Sequence, residues 1–342
     1  MRHFVSAAVA LVIVLAVMLG VPRSPATAAP ADVGYRDFQF GANCNSTPTG
    51  EKPESKLWWN DGFWWGSLCT PGNVYHIYRF NTTTQSWVDT GTPLDDRPST
   101  KADVLWDGQK LYVASHIFST IGEPLVTPGL WGRLYRYSYS VTTKTYTLDA
   151  GFPVDVTRGR SETLVIEKAP SGQLWVTYVE NGQVMVNYSN GSDNVWATPF
   201  ALPVSGASNV STDDISSIIT FDRNTTTPRV GVLWSNQNTN RMYFATHVDG
   251  TAVTVWKSFA VSIRSTSNPT PADDHISIKL QGDGAGIYAV TKTSNLGPNE
   301  PYIVLLSCRS ACSSATKWRT TPVYKVSDAQ TRAMLLLDTS NR

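Results

Sequence analysis

Two short acidic motifs, 60 residues apart, have residue types suited to acid/base chemistry. They read Thr212-Asp-Asp-Ile-Ser216 and Ala272-Asp-Asp-His-Ile-Ser277. Carboxylates that converge in a restricted space shift one another's pKa, and this produces general acid/base pairs. A histidine such as His275 moves protons near neutral pH. If the protein is an enzyme, we expect Asp274 or Glu162 to be the general acid/base and His275 to be the proton shuttle.

A set of charged residues could bind an anionic group. An arginine such as Arg160 or Arg332 holds a carboxylate or sulfate through two parallel hydrogen bonds. Lys101, Asp103 and Asp214 occupy comparable places in the repeats described below, so we expect all five residues to contact the ligand.

Other roles for these residues remain open. An aspartate at the start of a strand often accepts backbone N–H bonds, and the two Asp-Asp motifs would then tie neighbouring sheets together. Arg160 and Glu162 could form an ion pair that only lines a channel. Hard carboxylate oxygens also suit calcium, whereas we expect no other cofactor.

The elements that must position these residues are revealed by five regularly spaced aromatic residues. Successive gaps between them are 59, 50, 60 and 62 residues, and each closes a strand-and-hairpin pattern. Self-similarity at such a period predicts a repeat architecture. Strand-forming residues and polar turns dominate, which indicates an all-β chain. These residues are Trp87, Tyr146, Trp196, Trp256 and Trp318.

We therefore predict a β-propeller of four-stranded antiparallel blades over residues 55–342. Five complete blades can be written, and Thr331–Leu337 would start a sixth, so a full-length form would have six or seven blades and this chain would be truncated. A five-bladed ring is the alternative. Residues 30–54 form an N-terminal segment in which Tyr35–Phe40 could return as a ring-closing strand. In a propeller the first strand of each blade lines the central channel, and the charged residues above lie at the starts of these strands.

The N-terminus indicates export. Arg2 and His3 precede an apolar run from Ala7 to Val21, and small residues follow, so residues 1–29 are predicted to be a signal peptide. A membrane anchor is the alternative reading of the run. The net charge of +1 gives no field that attracts nucleic acid or an acidic membrane. We expect a secreted monomer that binds neither nucleic acid nor, after signal cleavage, a membrane.

Four cysteines are predicted to form two disulfides, because export favours oxidation. Proximity pairs Cys44 with Cys69 and Cys308 with Cys312. A zinc site is the alternative, but no histidine lies at ligand spacing from these cysteines.

The chain resembles the secreted, sialidase-like β-propellers of bacteria that carry BNR repeats. The resemblance rests on the blade rhythm and on the two Asp-Asp motifs that open adjacent blades. Ser189-Asn-Gly-Ser-Asp-Asn-Val-Trp196 is a degenerate form of the S-x-D-x-G-x-x-W box of that family. The resemblance implies carbohydrate as the ligand class.

We expect a secreted propeller that recognises, and as an enzyme would also cleave, an acidic glycan or another small polar ligand at its central face. A glycoside hydrolase and a polysaccharide lyase are both open. The alternatives are a non-catalytic binding or adhesion module and a truncated, inactive fragment.

Overall fold

The structure, a computed structural model, describes residues 40–41, 44, 48, 52–261, 272–282 and 284–337. The predicted signal peptide and nearly all of the predicted ring-closing strand lie outside these residues. Five antiparallel sheets follow one another along the chain, four of them with four strands and one with five. In the four-stranded sheets the strand order is the chain order, as in propeller blades. The all-β class and the four-stranded blades are therefore confirmed.

The strands are short and are joined mostly by tight hairpins. Blade one contains β1 (Leu57–Asn60), β2 (Phe63–Cys69), β3 (Tyr75–Asn81) and β4 (Ser86–Pro93). Blade two contains β5 (Thr100–Trp106) and β6 (Lys110–Ile117), and β7 (Glu123–Pro124) follows outside the sheet. Blade two then continues with β8 (Arg133–Ser140), β9 (Thr145–Leu148) and β10 (Val154–Asp155). The strand β11 (Gly159–Arg160) pairs with β7 in a separate two-stranded sheet.

The remaining three blades follow the simple pattern. Blade three contains β12 (Val165–Lys168), β13 (Leu174–Glu180), β14 (Gln183–Tyr188) and β15 (Phe200–Ala201). Blade four contains β16 (Ser216–Phe221), β17 (Arg229–Asn236), β18 (Arg241–Val248) and β19 (Lys257–Ala260). Blade five contains β20 (Ile276–Leu280), β21 (Ile287–Lys292), β22 (Pro301–Cys308) and β23 (Arg319–Lys325). The helical elements of the described residues are the 3₁₀ turns Pro128–Leu130, Ala315–Lys317 and Val326–Asp328.

The hairpin between β1 and β2 shows why the sequence folds this way locally. Asp61 and Gly62 form its two-residue loop, with φ of 53° and 78°. A tight hairpin with the natural strand twist needs positive φ at both loop positions, and Asp-Gly accepts this at low cost. Within the described residues, no helix is both long enough and apolar enough to span a membrane.

Three of the five regularly spaced aromatic residues pack adjacent blades together. Tyr146 of blade two lies edge-on to Trp58 and Trp65 of blade one, with centroid separations of 5.7 and 5.0 Å. Trp318, at the start of the last strand, lies 5.0 Å from Phe244 of blade four. Since a large aromatic ring buries much apolar area, each of these contacts stabilises one blade against the next. The positions of Tyr146 and Trp318 thus follow from the blade-to-blade packing, whereas Trp87 packs against Phe80 of its own blade.

The first strands of the blades surround a narrow central channel. A cavity of about 160 Å³ is lined by Val104 of β5, Ile166 of β12, Ile218 of β16, Ile278 of β20 and Pro53, which precedes β1. The five blades therefore share one axis. The starts of the first strands meet at one end of this axis, and the hairpin turns meet at the other.

Both predicted disulfides are present. Cys44 is bonded to Cys69, and Cys308 is bonded to Cys312. The first fastens the N-terminal segment to blade one. The second closes the connection between the last two strands of blade five, as the spacing predicted.

Blades one and five stand at the two ends of the chain of blades, and the features below concern these two blades. On blade one, Leu57, Trp59 and Trp64 face away from blade two and are 47%, 52% and 47% exposed. Residues 331–337, predicted to begin a sixth blade, form no strand. Instead the Leu335 N–H donates to Ser277 Oγ at 3.2 Å, which places this segment beside the first strand of blade five.

Candidate functional site

Charged side chains from all five blades meet where the first strands begin. One carboxylate oxygen each from Glu162, Asp213 and Asp274 lies within 4.8 Å of the other two. Glu162 precedes β12, Asp213 precedes β16 and Asp274 precedes β20. The structure thus brings together two of the predicted catalytic residues and adds Asp213. We refer to the residues gathered here as the axial cluster, which consists of Lys52, Lys101, Glu162, Asp213, Asp273, Asp274, His275, Lys292 and Arg332.

Lys52 joins the carboxylates of the axial cluster. Its ammonium donates to both Glu162 and Asp274, and only 4% of its side chain is exposed. This lysine was not among the predicted site residues. It precedes the first strand of blade one, just as Glu162, Asp213 and Asp274 precede the first strands of their blades, and that position is a signal that could have found it.

The carboxylates of the axial cluster have their pKa values shifted in opposite directions. Burial raises the pKa of Glu162 to about 7, with Lys52 opposing the shift. Burial also acts to raise the pKa of Asp274, but hydrogen bonds from His275 and the charge of Lys52 hold it well below its ordinary value. Burial and the nearby Asp274 raise the pKa of Asp213. The site therefore offers a carboxyl that protonates near neutral pH beside one that stays ionised.

His275 is held between two aspartates. Its Nδ1 lies 2.7 Å from Oδ1 of both Asp273 and Asp274, and Lys292 Nζ lies 3.0 Å from Asp273 Oδ2. Although burial acts to lower the pKa of His275, the two carboxylates outweigh it, so this pKa is raised. These contacts favour the imidazolium form, and its charge helps to keep Asp274 ionised.

Lys101 and Arg332 form the cationic side of the axial cluster. Lys101 is 2% exposed, and its Nζ lies 3.9 Å from the centroid of the Phe118 ring. Burial lowers the pKa of Lys101 to about 8; Glu162 opposes this shift, and the nearby positive charge of Arg332 adds to it. Arg332 itself is exposed. Two of the three predicted ligand-binding cations therefore lie in the same part of the site.

Arg160 lies outside the axial cluster, near Phe118. It lines a cavity of about 310 Å³ together with Arg97, Ile117, Phe118 and Leu130. Its guanidinium pairs with Glu123 across the two-stranded sheet of β7 and β11, so the ion pair with Glu162 that the sequence left open is not the one formed. Because Phe118 contacts Lys101 and also lines this cavity, the cavity and the axial cluster adjoin.

Asp103 and Asp214 have contacts of a different kind. Asp103 accepts backbone N–H bonds from Ser55 at 2.6 Å and Ile166 at 3.0 Å, which ties three blades together. Asp214 accepts backbone N–H bonds from Ser211 at 2.6 Å and Gln237 at 3.0 Å. Burial raises the pKa of both, in Asp103 to about 7. Asp103 therefore has the inter-blade contacts that the sequence left open as a structural role, whereas both of these contacts of Asp214 lie within blade four.

A second buried network, which the sequence analysis did not predict, adjoins the axial cluster and is centred on Glu54. Glu54 Oε1 lies 2.7 Å from His116 Nε2 and accepts the Leu164 N–H at 3.0 Å, while Glu54 Oε2 lies 2.7 Å from Lys56 Nζ. Burial alone would raise the pKa of Glu54, but Lys56 and His116 lower it to about 2. The network joins blades one, two and three next to Lys101 and Glu162.

The carboxylates of the axial cluster are the candidate ligands for the calcium ion that the sequence left open. Glu162, Asp213 and Asp274 supply the hard oxygen atoms that calcium prefers. However, the Lys52 ammonium already pairs with Glu162 and Asp274. A divalent cation would have to displace this ammonium, so the residues as arranged do not fit calcium.

Comparison with known proteins supports the fold. No protein-family model and no curated protein matches this chain. A mutant of the Aleuria aurantia lectin in complex with Fucα1-6GlcNAc superposes with a TM-score of 0.50 at 14% identity, over 79% of this chain and 78% of the lectin. A mutant of AofleA from Arthrobotrys oligospora gives 0.49 at 11% identity, over 81% and 74% of the two chains.

A glycoside hydrolase also matches, at lower similarity. The catalytic domain of the Coprinopsis cinerea GH62 α-L-arabinofuranosidase gives a TM-score of 0.38 at 10% identity, over 64% of this chain and 66% of that one. At these identities the similarity concerns the fold alone, which is that of a β-propeller. The resemblance to sialidase-like propellers remains a prediction.

Proposed function

We propose that this protein binds an acidic glycan outside the cell, at the end of the propeller where the first strands begin. The observation that carries the proposal is the continuous arrangement of Lys101, Phe118 and Arg160. Lys101 stacks on the Phe118 ring, and Phe118 and Arg160 line the adjoining cavity. Cations beside an aromatic ring suit a sugar that carries a carboxylate or a sulfate.

The charges favour an anion at this place. Lys101 and Arg332 lie close enough for the charge of Arg332 to lower the pKa of Lys101. An anionic substituent between them would relieve this repulsion and stabilise the charged ammonium. The Arg160–Glu123 pair, whose side chains are 35% and 31% exposed, could exchange Glu123 for a ligand carboxylate at small cost because exposed ion pairs are weak.

The size of the cavity and the fold are consistent with a sugar. About 310 Å³ lies within the ordinary range of ligand pockets. Propellers do accommodate sugar sites, as the lectin complex with Fucα1-6GlcNAc illustrates. The predicted signal peptide would place the protein where such glycans occur.

The test is calorimetric titration with oligogalacturonate and with the same oligomer methyl-esterified, which differs only in charge. We expect the acidic oligomer to bind and the ester to bind weakly. Lys101→Gln and Arg332→Gln should each weaken binding about tenfold or more, since hydrogen bonds to charged groups contribute roughly 1.5–3 kcal/mol.

The matched control is Arg319→Gln, which removes an exposed arginine on β23. Equal affinity for the acidic and the esterified oligomer would contradict the proposal. So would unchanged binding in both site variants. If a sulfated oligosaccharide binds and the uronate does not, the binding site would stand, and the acid group it recognises would be a sulfate instead of a carboxylate.

Glycan cleavage is the second candidate function, favoured by the opposed pKa shifts of Glu162 and Asp274. Two carboxyls held in different protonation states at neutral pH are what glycoside hydrolysis requires. The purified protein would be incubated with acidic and neutral polysaccharides, and products would be detected by mass spectrometry. Product from the wild type, but not from folded Glu162→Gln or Asp274→Asn, would establish an enzyme. Unsaturated ends would indicate a lyase, and absence of product across the panel would leave binding alone.

A further inference from the structure

A second cavity lies at the opposite end of the first strands. It measures about 410 Å³ and is lined in part by Trp106, Gln109 and Arg223. Trp106 ends the strand β5 in which Lys101 is the second residue, so the two residues are about 17 Å apart at roughly 3.4 Å per residue. The cavity is therefore separate from the axial cluster and from the acidic glycan site proposed above.

The charges in this cavity are paired within the protein. Lys168 Nζ lies 2.5 Å from Asp107 Oδ2 and 3.1 Å from Tyr112 Oη. Arg223 Nη2 lies 3.2 Å from Glu167 Oε2. Two cations face two carboxylates, so the cavity carries no net charge, in contrast to the pair formed by Lys101 and Arg332. An anionic ligand would meet two carboxylates here, which disfavours it.

The same pairs hold polar groups in fixed positions. The Arg223 side chain is anchored a second time, because its Nε donates to the Thr220 carbonyl at 3.2 Å. Ordered donors and acceptors lose little conformational freedom when a ligand binds. The cavity thus presents pre-positioned hydrogen-bonding groups with balanced donors and acceptors.

An aromatic wall completes the cavity. The Trp106 ring packs edge-on against Tyr139 and Tyr146, with centroid separations of 6.4 and 6.0 Å, and is held in place by them. Gln109 follows in the hairpin and is exposed. A rigid indole beside an amide and fixed ion pairs suits a ligand with an apolar C–H face and many hydroxyl groups.

The geometry points to a second binding site, for an uncharged saccharide unit, in the cavity bounded by Trp106, Gln109 and Arg223. The cavity volume of about 410 Å³ accommodates one sugar ring and part of a second. Its ligand differs in charge from that of the acidic glycan site, and its occupation does not depend on that site.

The experiment uses ¹⁹F NMR of the protein labelled with 5-fluorotryptophan, with Trp106→Phe assigning the resonance of Trp106. The probes are methyl β-D-glucoside, methyl β-D-galactoside and methyl α-L-fucoside, titrated to about 50 mM. We expect at least one of them to shift the Trp106 resonance in a saturable way. Lys101→Gln should leave that shift unchanged, because it acts at the other end of the propeller.

Variants at the exposed Gln109 keep the test independent of folding. Gln109→Ala should weaken binding about fivefold, the loss expected for one hydrogen bond of about 1 kcal/mol, and Gln109→Phe should abolish it by filling the cavity mouth. Gln183→Phe, at an exposed glutamine of another hairpin, is the matched control. No saturable shift with any probe would overturn the inference, and so would full binding by Gln109→Phe. Loss of oligogalacturonate binding alone would overturn the proposed function and not this site.

Discussion

The ammonium of Lys101 lies 3.9 Å from the centroid of the Phe118 ring, at the boundary between the axial cluster and the cavity that Arg160 lines. A cation over an aromatic face is stabilised in its charged form, and the effect grows when both groups are removed from water. Burial acts in the opposite direction and lowers the pKa of Lys101 to about 8. The charge of this lysine is therefore sensitive to conditions just above physiological pH.

The first prediction concerns the pH dependence of acidic glycan binding. The ammonium is charged below its pKa and neutral above it, so affinity for oligogalacturonate should fall as the pH rises through about 8, beyond any decrease that accompanies ionisation of Glu162 near pH 7. Calorimetry from about pH 6 to about pH 10 measures this directly. The fall should vanish in Lys101→Gln. A wild-type affinity that stays level through this range would contradict a role for the Lys101 charge.

The second prediction concerns Phe118→Leu. This substitution keeps an apolar side chain but removes the ring that stabilises the ammonium, which should lower the pKa of Lys101 further. Affinity for the acidic oligomer should fall about two- to fivefold at neutral pH, for an interaction worth roughly 0.5–1 kcal/mol, and the fall at high pH should begin earlier. Phe259→Leu, in the packing between blades four and five, is the control and should leave affinity unchanged. Identical pH profiles in wild type and Phe118→Leu would exclude the ring from this role.

The third prediction concerns Glu54→Gln. Removing this carboxylate leaves the buried Lys56 ammonium without its counter-charge, which costs about 3–5 kcal/mol of unfolding free energy. Urea denaturation measures the loss. Glu123→Gln breaks the partly exposed pair with Arg160 and should cost less than about 1 kcal/mol. Comparable losses in the two variants would show that the Glu54 network does not hold the blades together.

The destabilisation by Glu54→Gln should also depend on pH. The folded-state pKa of Glu54 is about 2, below its ordinary value of 4.5, so its contribution to stability is fully present above about pH 4.5. It is lost as the pH falls through about 2. The difference between wild type and Glu54→Gln should therefore shrink below about pH 4.5. A difference that grows on acidification would reverse the assigned sign.

The fourth prediction compares two adjacent aspartates. Asp214→Asn replaces the buried carboxylate that accepts the Ser211 and Gln237 N–H groups with an uncharged amide, which is a weaker acceptor. This change should lower the free energy of unfolding by about 1–2 kcal/mol without changing glycan affinity. Asp213→Asn, at the exposed neighbour, should change stability by less than about 0.5 kcal/mol. Thermal melts and calorimetry of the two variants provide the comparison. A loss of affinity in Asp214→Asn with unchanged stability would assign it to the binding site.

The fold could be predicted from the sequence because one physical requirement repeats. Three of the five spaced rings, those of Tyr146, Trp256 and Trp318, are buried against a ring of the preceding blade. Hairpin turns such as Asp61-Gly62 then mark the strand ends. Residues 331–337 carry the same apolar character, but a strand needs hydrogen-bonding partners, and the described residues supply none for this segment beyond the single bond to Ser277.

The site could be predicted only in part. Lys101, Glu162 and Asp274 lie together because each stands at the start of a first strand, a position that the repeats reveal. Asp213 and Asp214 are adjacent, so their side chains point in opposite directions along the extended chain, and Asp213 is the one that reaches the axial cluster. Asp103 lies two residues after Lys101 on β5 and accepts the N–H groups of Ser55 and Ile166, contacts that depend on an alignment between blades that the sequence does not show. Lys52 and Glu54 precede the first blade in the same way, yet no repeat on their N-terminal side marks them.

The face of blade one that carries the half-exposed Leu57, Trp59 and Trp64 has a consequence for the order in which the blades unfold. In repeat proteins, stability is a sum of contributions from each unit and from each interface between neighbours. Within the described residues, shared apolar cores join each of the three inner blades to two neighbours and blades one and five to one neighbour each, so we expect fraying to begin at the two ends of the chain of blades. Lys101 and Glu162 belong to inner blades, while Asp274 and His275 belong to blade five. A partly denatured molecule that has lost blade five would therefore keep Lys101 and Glu162 but lose Asp274, His275 and the adjoining Arg332, so both proposed functions should be impaired before the inner blades unfold.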